Sequence, residues 1–188
     1  MVAISFAVGM ELTVLGFIMF RGLVWRRRKT YSWKEELLQL LMLVNLLVIV
    51  RFVFYPFETV NGQIQPLLFE PEAIWPPWIN LVPLVNLLDY ETKRELVLNL
   101  VGNFLMFVPS GILFPSLYPK LRSFGRTALA GFLMSLSIEL LQLPFAVRAS
   151  DVDDLILNSL GVVLGYGIHA LVNAMVRLCR KREKGIKK

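Results

Sequence analysis

The sequence predicts an all-α, polytopic membrane bundle of about five spanning helices, and three observations carry that prediction. Of 188 residues, 56% are hydrophobic and only 18% charged, and the mean hydropathy is +0.61, where an ordinary soluble domain is about one-quarter charged. Five apolar stretches, at 2–20, 37–56, 96–117, 127–145 and 153–176, reach or approach the ~20 residues that a helix needs to cross the hydrocarbon. The basic residues gather after the first, third and fifth of these. Residues 25–34, 118–126 and 177–188 hold 5, 3 and 7 Lys or Arg, and with Arg21 that accounts for 16 of the 20 in the chain. Antiparallel crossings put all of them on one side, which the positive-inside rule makes cytoplasmic. The N-terminus is then outside and the C-terminus inside.

The first stretch, Val2 to Phe20, is interrupted by Glu11 and closed by Arg21 and the Arg26-Arg27-Arg28-Lys29 cluster. A cleavable signal has its positive charge before the apolar run and a small-residue site after it. This segment has neither feature, so it is expected to be retained. The second stretch carries Asn45 and Arg51 and ends at Pro56. From Phe57 to about Glu95 the apolar periodicity gives way to Pro66, Pro71, Pro76, Pro77 and Pro83, with Trp75 and Trp78 among them. This reads as a long loop, and the tryptophans with the apolar segment behind them suit a re-entrant or interfacial piece near 75–90. The third stretch carries Asn99 and Asn103, four apart and so on one helical face. The fourth carries Gly131, Ser135, Glu139 and Gln142, and the fifth Asn158, Gly161, Gly165 and His169.

The polar residues inside this apolar chain mark the candidate site. A carboxylate at the centre of an apolar helix costs about 2.5–3.5 kcal/mol on insertion scales, and such groups face a bundle interior, a partner or a wet cavity. Glu139 is the first such group, with Gln142 three residues on along the same face. At 1.5 Å per residue Glu139 lies about 9 Å inside Phe145 and Arg51 about 8 Å inside Pro56. The two opposite charges are therefore expected to pair in the outer leaflet, with Gln142 and the Asn99 and Asn103 face beside them. Asp151 suits an N-cap for the fifth helix, with Asp153 and Asp154 in its first turn where the dipole favours negative charge. Asp151, Asp154 and Asn158 also share one stripe. Asp151, Asp153 and Asp154 offer hard oxygen ligands, so a divalent cation such as Mg or Ca is the candidate cofactor. Gly161 and Gly165 form GxxxG, which permits close packing within the chain or between two copies, an oligomer among the expectations.

Other chemistries are excluded by what is missing. Cys179 is the only cysteine, so one chain builds neither a disulfide nor a cysteine metal site. There is no P-loop, G-x-S-x-G or H-E-x-x-H. The net charge of +6 sits at helix junctions with few interleaved aromatics, which does not describe a nucleic-acid surface. His169 alone in its span reads as a hydrogen-bonded core residue.

Arg51 with Tyr55-Pro56-Phe57, the segment Asn80-Leu81-Val82-Pro83-Leu84, the run from Asn99 through Asn103 to Pro109-Ser110-Gly111, and Glu139, Gln142, Arg148, Asp151, Asp153, Asp154, Asn158, Gly161 and Gly165 in that order resemble the VanZ-like family. Leu84 stands where the family usually has Phe, and Ser110 interrupts its usual Pro-Leu-Gly. The resemblance covers residues 45–170, leaving an N-terminal helix and basic loop over 1–44 and the helix end with its basic tail over 171–188. It implies a bacterial plasma-membrane protein, in a family named for a member that contributes to teicoplanin resistance.

Two functional classes follow. In the first, Arg51 and Arg148 hold the phosphate or acidic headgroup of a membrane lipid or lipid-linked envelope precursor while Asn103, Gln142, Asp151 and Asn158 help to bind it and Glu139 orients it. In the second, Glu139 is a general acid or base and Asp154, with Asp151 or Asp153, positions water or a cation.

Overall fold

A computed structural model of the chain describes residues 2–27, 32–56, 59–74, 79–85, 92–145 and 150–186. Five helices build it: α1 (Phe6–Arg27), α2 (Trp33–Val53), α3 (Lys93–Leu117), α4 (Phe124–Gln142) and α5 (Val152–Ile186). All five are long and apolar enough to cross a membrane. The chain is thus the expected all-α membrane bundle. Its outward surface is made of side chains such as Leu12, Met19, Leu37, Leu133, Leu140 and Leu171, all exposed, which is favourable only when that surface meets lipid.

Consecutive helices alternate in direction, so the bundle has two unlike ends. One holds the start of α1, the 54–92 connection and the α4–α5 junction, and will be called the loop end. The other, the basic end, holds the α1–α2 and α3–α4 junctions and the far part of α5. Several boundaries differ from the sequence reading: α1 runs past Phe20 to Arg27, α2 spans Trp33–Val53 rather than 37–56, and α4 ends at Gln142 rather than Phe145. Val2–Ile4 is a strand, β1, not the first turn of α1. α5 continues through Arg177, Arg180 and Arg182 to Ile186, because Leu, Arg, Lys and Glu are good helix formers and no proline interrupts them.

The long connection at the loop end is more ordered than its prolines suggest. Thr59–Val60 (β2) and Gln63–Ile64 (β3) form a hairpin closed by Asn61 and Gly62 at φ 53° and 75°, the Asn-Gly pair that a tight hairpin turn favours. Leu67–Phe69 (β4) pairs antiparallel with β1, Val2 opposite Phe69 and Ile4 opposite Leu67. Phe69 also bridges to Phe145, and Glu70 N–H donates to the Pro144 carbonyl at 2.8 Å. Ile79–Asn80 (β5) runs parallel to Ser150–Asp151 (β6). Of the segment expected to be re-entrant or interfacial, residues 79–85 are described. They form β5 and a turn with Leu81, Val82 and Leu84 exposed, while Trp75 and Trp78 lie outside the described residues.

Inside the bundle, polar side chains between helices are paired. Asn45 donates to the Met106 carbonyl at 2.8 Å and accepts from Ser110 Oγ at 2.6 Å, joining α2 to α3. Thr127 Oγ1 donates to the Leu121 carbonyl at 2.5 Å. Tyr55, 1% exposed, donates from its hydroxyl to the Ser5 carbonyl at 3.1 Å, and burial raises its pKa. A Cβ on Gly9 would strike that ring.

The closest helix contact is between α3 and α5. A Cβ on Gly161 would meet the Phe104 carbonyl, one on Gly165 the Val108 carbonyl, and one on Gly111 the Val162 carbonyl. The Gly161 and Gly165 pair is therefore occupied by α3 of the same chain. This is the within-chain packing that the GxxxG spacing permits.

This contact predicts an asymmetry between neighbouring glycines. Gly165→Ala should destabilise the folded protein by about 1–3 kcal/mol, as overpacking does, whereas Gly167, whose added Cβ would meet nothing, should tolerate alanine. Thermal unfolding in detergent measures both, and equal midpoints would contradict the backbone contact.

Candidate functional site

α4 turns one polar stripe inward. Ser135, Glu139 and Gln142, spaced by four and three, are all buried, Glu139 at 6% exposure. The last four carbonyls of a helix have no partner within it, and at Glu139 that need is met by the start of α5. Ser150 Oγ donates to the Glu139 carbonyl at 2.7 Å, and Asp151 N–H donates to Glu139 Oε2 at 3.1 Å. One residue thus holds β6 through both its backbone and its carboxylate. Its second oxygen, Oε1, is buried without a hydrogen-bond partner, at a cost of about 1–3 kcal/mol or more for a charged group.

The carboxylates that follow are each turned a different way. Asp151 Oδ1 accepts the Asp153 N–H at 2.9 Å, as the expected N-cap does, and Asn80 Nδ2 at 3.2 Å. Asp153 accepts the Leu84 N–H on both oxygens, at 3.0 and 2.9 Å. Leu84 has φ 65°, a left-handed conformation that a branched residue adopts only when its surroundings impose it. Asp154 accepts from Asn103 Nδ2, which also donates to Asn99 Oδ1 at 3.1 Å. The three aspartates expected to share a cation are spread over β5, the 81–85 turn and α3. Among the described residues no group of three or more His, Cys, Asp or Glu is placed to hold one metal ion.

Other expected members lie apart. Asn158, 1% exposed, sits deeper and donates to Ser135 Oγ at 3.0 Å, leaving its own Oδ1 buried without a partner. Gln142 Nε2 donates to the Val53 carbonyl at 3.0 Å, closing the end of α2, and its Oε1 is likewise unpartnered. Arg51 does not pair with Glu139. Its guanidinium donates to the Tyr55 and Pro56 carbonyls at 3.4 and 3.1 Å and lies over the Phe6 and Phe52 rings. A cation at a helix C-terminus is favoured by those carbonyls and by the dipole, which is why Arg51 stays with its own helix. The one ion pair among the described residues is Arg21 with Glu36, at 2.5 Å. Arg148 lies outside the described residues.

Sequence reasoning did not place Ser135, Asn80 or Ser150 in the site, and it misread Arg21 at the other end of the bundle. Ser135 was legible as the next polar residue on the Glu139 face, one turn earlier. Asn80 enters the sequence reading only through the family resemblance, because its partner Asp151 is distant in sequence, and Ser150 carries no local signal. Arg21 was read as a topological charge and is instead a buried link between α1 and α2, stacked on Trp25 at 5.5 Å.

The loop end therefore gathers Glu139, Asp151, Asp153, Asp154 and Asn103 around the first turn of α5, with Gln142 and Arg51 beside it at the end of α2. The group is rich in acceptors. Its acceptors come from three helices and β6.

The chain is 30% identical over 74 residues to Protein VanZ of Enterococcus faecium, a match that spans 39% of this chain and 45% of that protein's length. No solved structure matches. Residues 38–173, well over half of the chain, match the VanZ/LLP1 family from the second helix to the far part of the fifth, and the chain belongs to that family.

Proposed function

We propose that the loop end faces the outside of a bacterial plasma membrane and binds the headgroup of a membrane lipid or lipid-linked envelope precursor. On this reading the protein changes how that lipid is presented and so contributes to glycopeptide resistance of the teicoplanin type. The observation that carries the proposal is the buried, unpartnered Oε1 of Glu139 beside a helix start already crowded with carboxylates. The orphan acceptors of Glu139 and Gln142 suit the hydroxyl or ammonium donors of a headgroup, with Asn103, Asp151, Asp154 and Asn158 supporting the same end. Arg51 and Arg148 are the cations offered to its phosphate. The family supports the reading through its relative Protein VanZ. The same Glu139 oxygen also suits a general acid or base acting on the lipid, which is the alternative.

Glu139→Gln preserves volume and an acceptor for Asp151 but removes the charge and the proton. The variant should insert and fold normally while lipid recovered with the purified protein falls about tenfold or more, a loss of about 1.4 kcal/mol or greater. Mass spectrometry of lipid bound from a bacterial extract measures this and separates the two classes, since an enzyme converts the lipid and a binder returns it unchanged. Asp154→Asn and Arg148→Ala should act in the same direction. Wild-type lipid recovery and teicoplanin susceptibility in all three would leave the cluster a structural network.

The orientation rests on the distribution of Lys and Arg. A cysteine placed at Lys184, in a Cys179→Ala background, should resist an impermeant thiol reagent in intact cells and react after lysis. Labelling of intact cells would reverse the bundle.

A further inference from the structure

The basic end holds a polar cavity of about 570 Å³ between the last turns of α3, the 119–122 turn and α5. Its polar lining is Ser116, Arg122, Tyr166, His169, Asn173 and Arg177, and no acidic residue is among the described residues that line it. It is remote from Glu139. Asp154 and His169 are fifteen residues apart on one helix, about 22 Å, and Arg177 lies about 38 Å from the start of α5. With a hydrocarbon core of ~30 Å, that puts the cavity at the opposite membrane surface.

Its walls are held in place. Tyr166 donates from its hydroxyl to the Arg122 carbonyl at 3.1 Å and stacks edge-on against Phe124 with centroids 5.8 Å apart, which fastens the turn bearing Arg122 to the helix bearing Arg177. Ser116 gives its proton to the Ile112 carbonyl at 2.7 Å, so its oxygen is left to accept from His169 Nδ1 at 3.1 Å. His169 Nε2 then accepts from Asn173 Nδ2 at 2.7 Å. This chain fixes the imidazole, and Arg122 and Arg177 line the same cavity with no described carboxylate paired to either.

We propose that this cavity is a binding site for a phosphate-bearing anion, supplied by a phospholipid headgroup of the adjoining leaflet or by free phosphate. Two guanidinium groups on separate, cross-linked elements form charge-assisted and bidentate bonds to phosphate oxygens, and basic pockets between spanning helices are a recurrent setting for headgroups. The site is independent of the Glu139 cluster and of the function proposed for it.

Native mass spectrometry of the detergent-purified protein tests it with two probes of different mass, inorganic phosphate and dioctanoyl phosphatidylglycerol. Arg122→Ala combined with Arg177→Ala should weaken binding about tenfold or more. Arg180→Ala combined with Lys181→Ala removes the same charge from α5 outside the cavity lining and should change binding less than about twofold. Arg122→Lys with Arg177→Lys keeps charge but loses the fork, and should weaken it by an intermediate factor, which also covers the case that the alanine pair fails to fold. Adducts of the lipid alone identify a headgroup site, and competition by inorganic phosphate identifies free phosphate as a ligand. Equal losses in the cavity and control pairs, or no adduct of either probe with the wild-type protein, overturn the proposal.

Discussion

The backbone contact between α3 and α5 sets the positions of everything else. Gly111, Gly161 and Gly165 let the two helices meet at carbonyl oxygens, where larger residues would hold them apart. Such contact fixes the sliding register as well as the distance, because each missing Cβ faces one particular carbonyl. At the loop end that register brings Asp154 to Asn103 and leaves the first turn of α5 under Glu139. At the basic end it brings His169 to Ser116. Two polar regions at opposite surfaces therefore share one mechanical reference.

A second constraint is that hydrocarbon offers no hydrogen bonds, so buried polar groups are matched from within. Asn45 with Ser110, Thr127 with Leu121 and Asn158 with Ser135 show this between separate elements. The unmatched atoms stand out against that background. Glu139 Oε1, Gln142 Oε1 and Asn158 Oδ1 all lie on α4 and the first half of α5, whereas Arg21 Nε is on α1 and Gln39 Oε1 on α2.

What was legible in the sequence follows a physical divide. Helices were, because a spanning helix is written in a continuous apolar run. The burial of Glu139 was too, since nothing else about an acid in such a run is affordable. Pairing with Arg51 failed because depth along an axis says nothing about which way a helix face turns, and Arg51 found nearer carbonyls just past the end of its own helix. Gly161 and Gly165 announced close packing, but their partner depended on Gly111, fifty residues earlier. Strands β1, β4, β5 and β6 are two or three residues long and pair across long separations, so no local pattern encodes them. Asn61-Gly62 did carry a local hairpin signal within a segment otherwise read as irregular.

The pairing of Val2 with Phe69 orders events during synthesis. Chain elongation at about 5–20 residues per second separates the two strands by several seconds, during which α1 and α2 are made. Through that interval β1 is an unsatisfied edge, and unsatisfied edges recruit whatever strand arrives first. The belt that closes the loop end, from β1 through β4 to Phe145, consequently cannot form until the fourth helix has been made, so the end that carries Glu139 is among the last parts of the bundle to close.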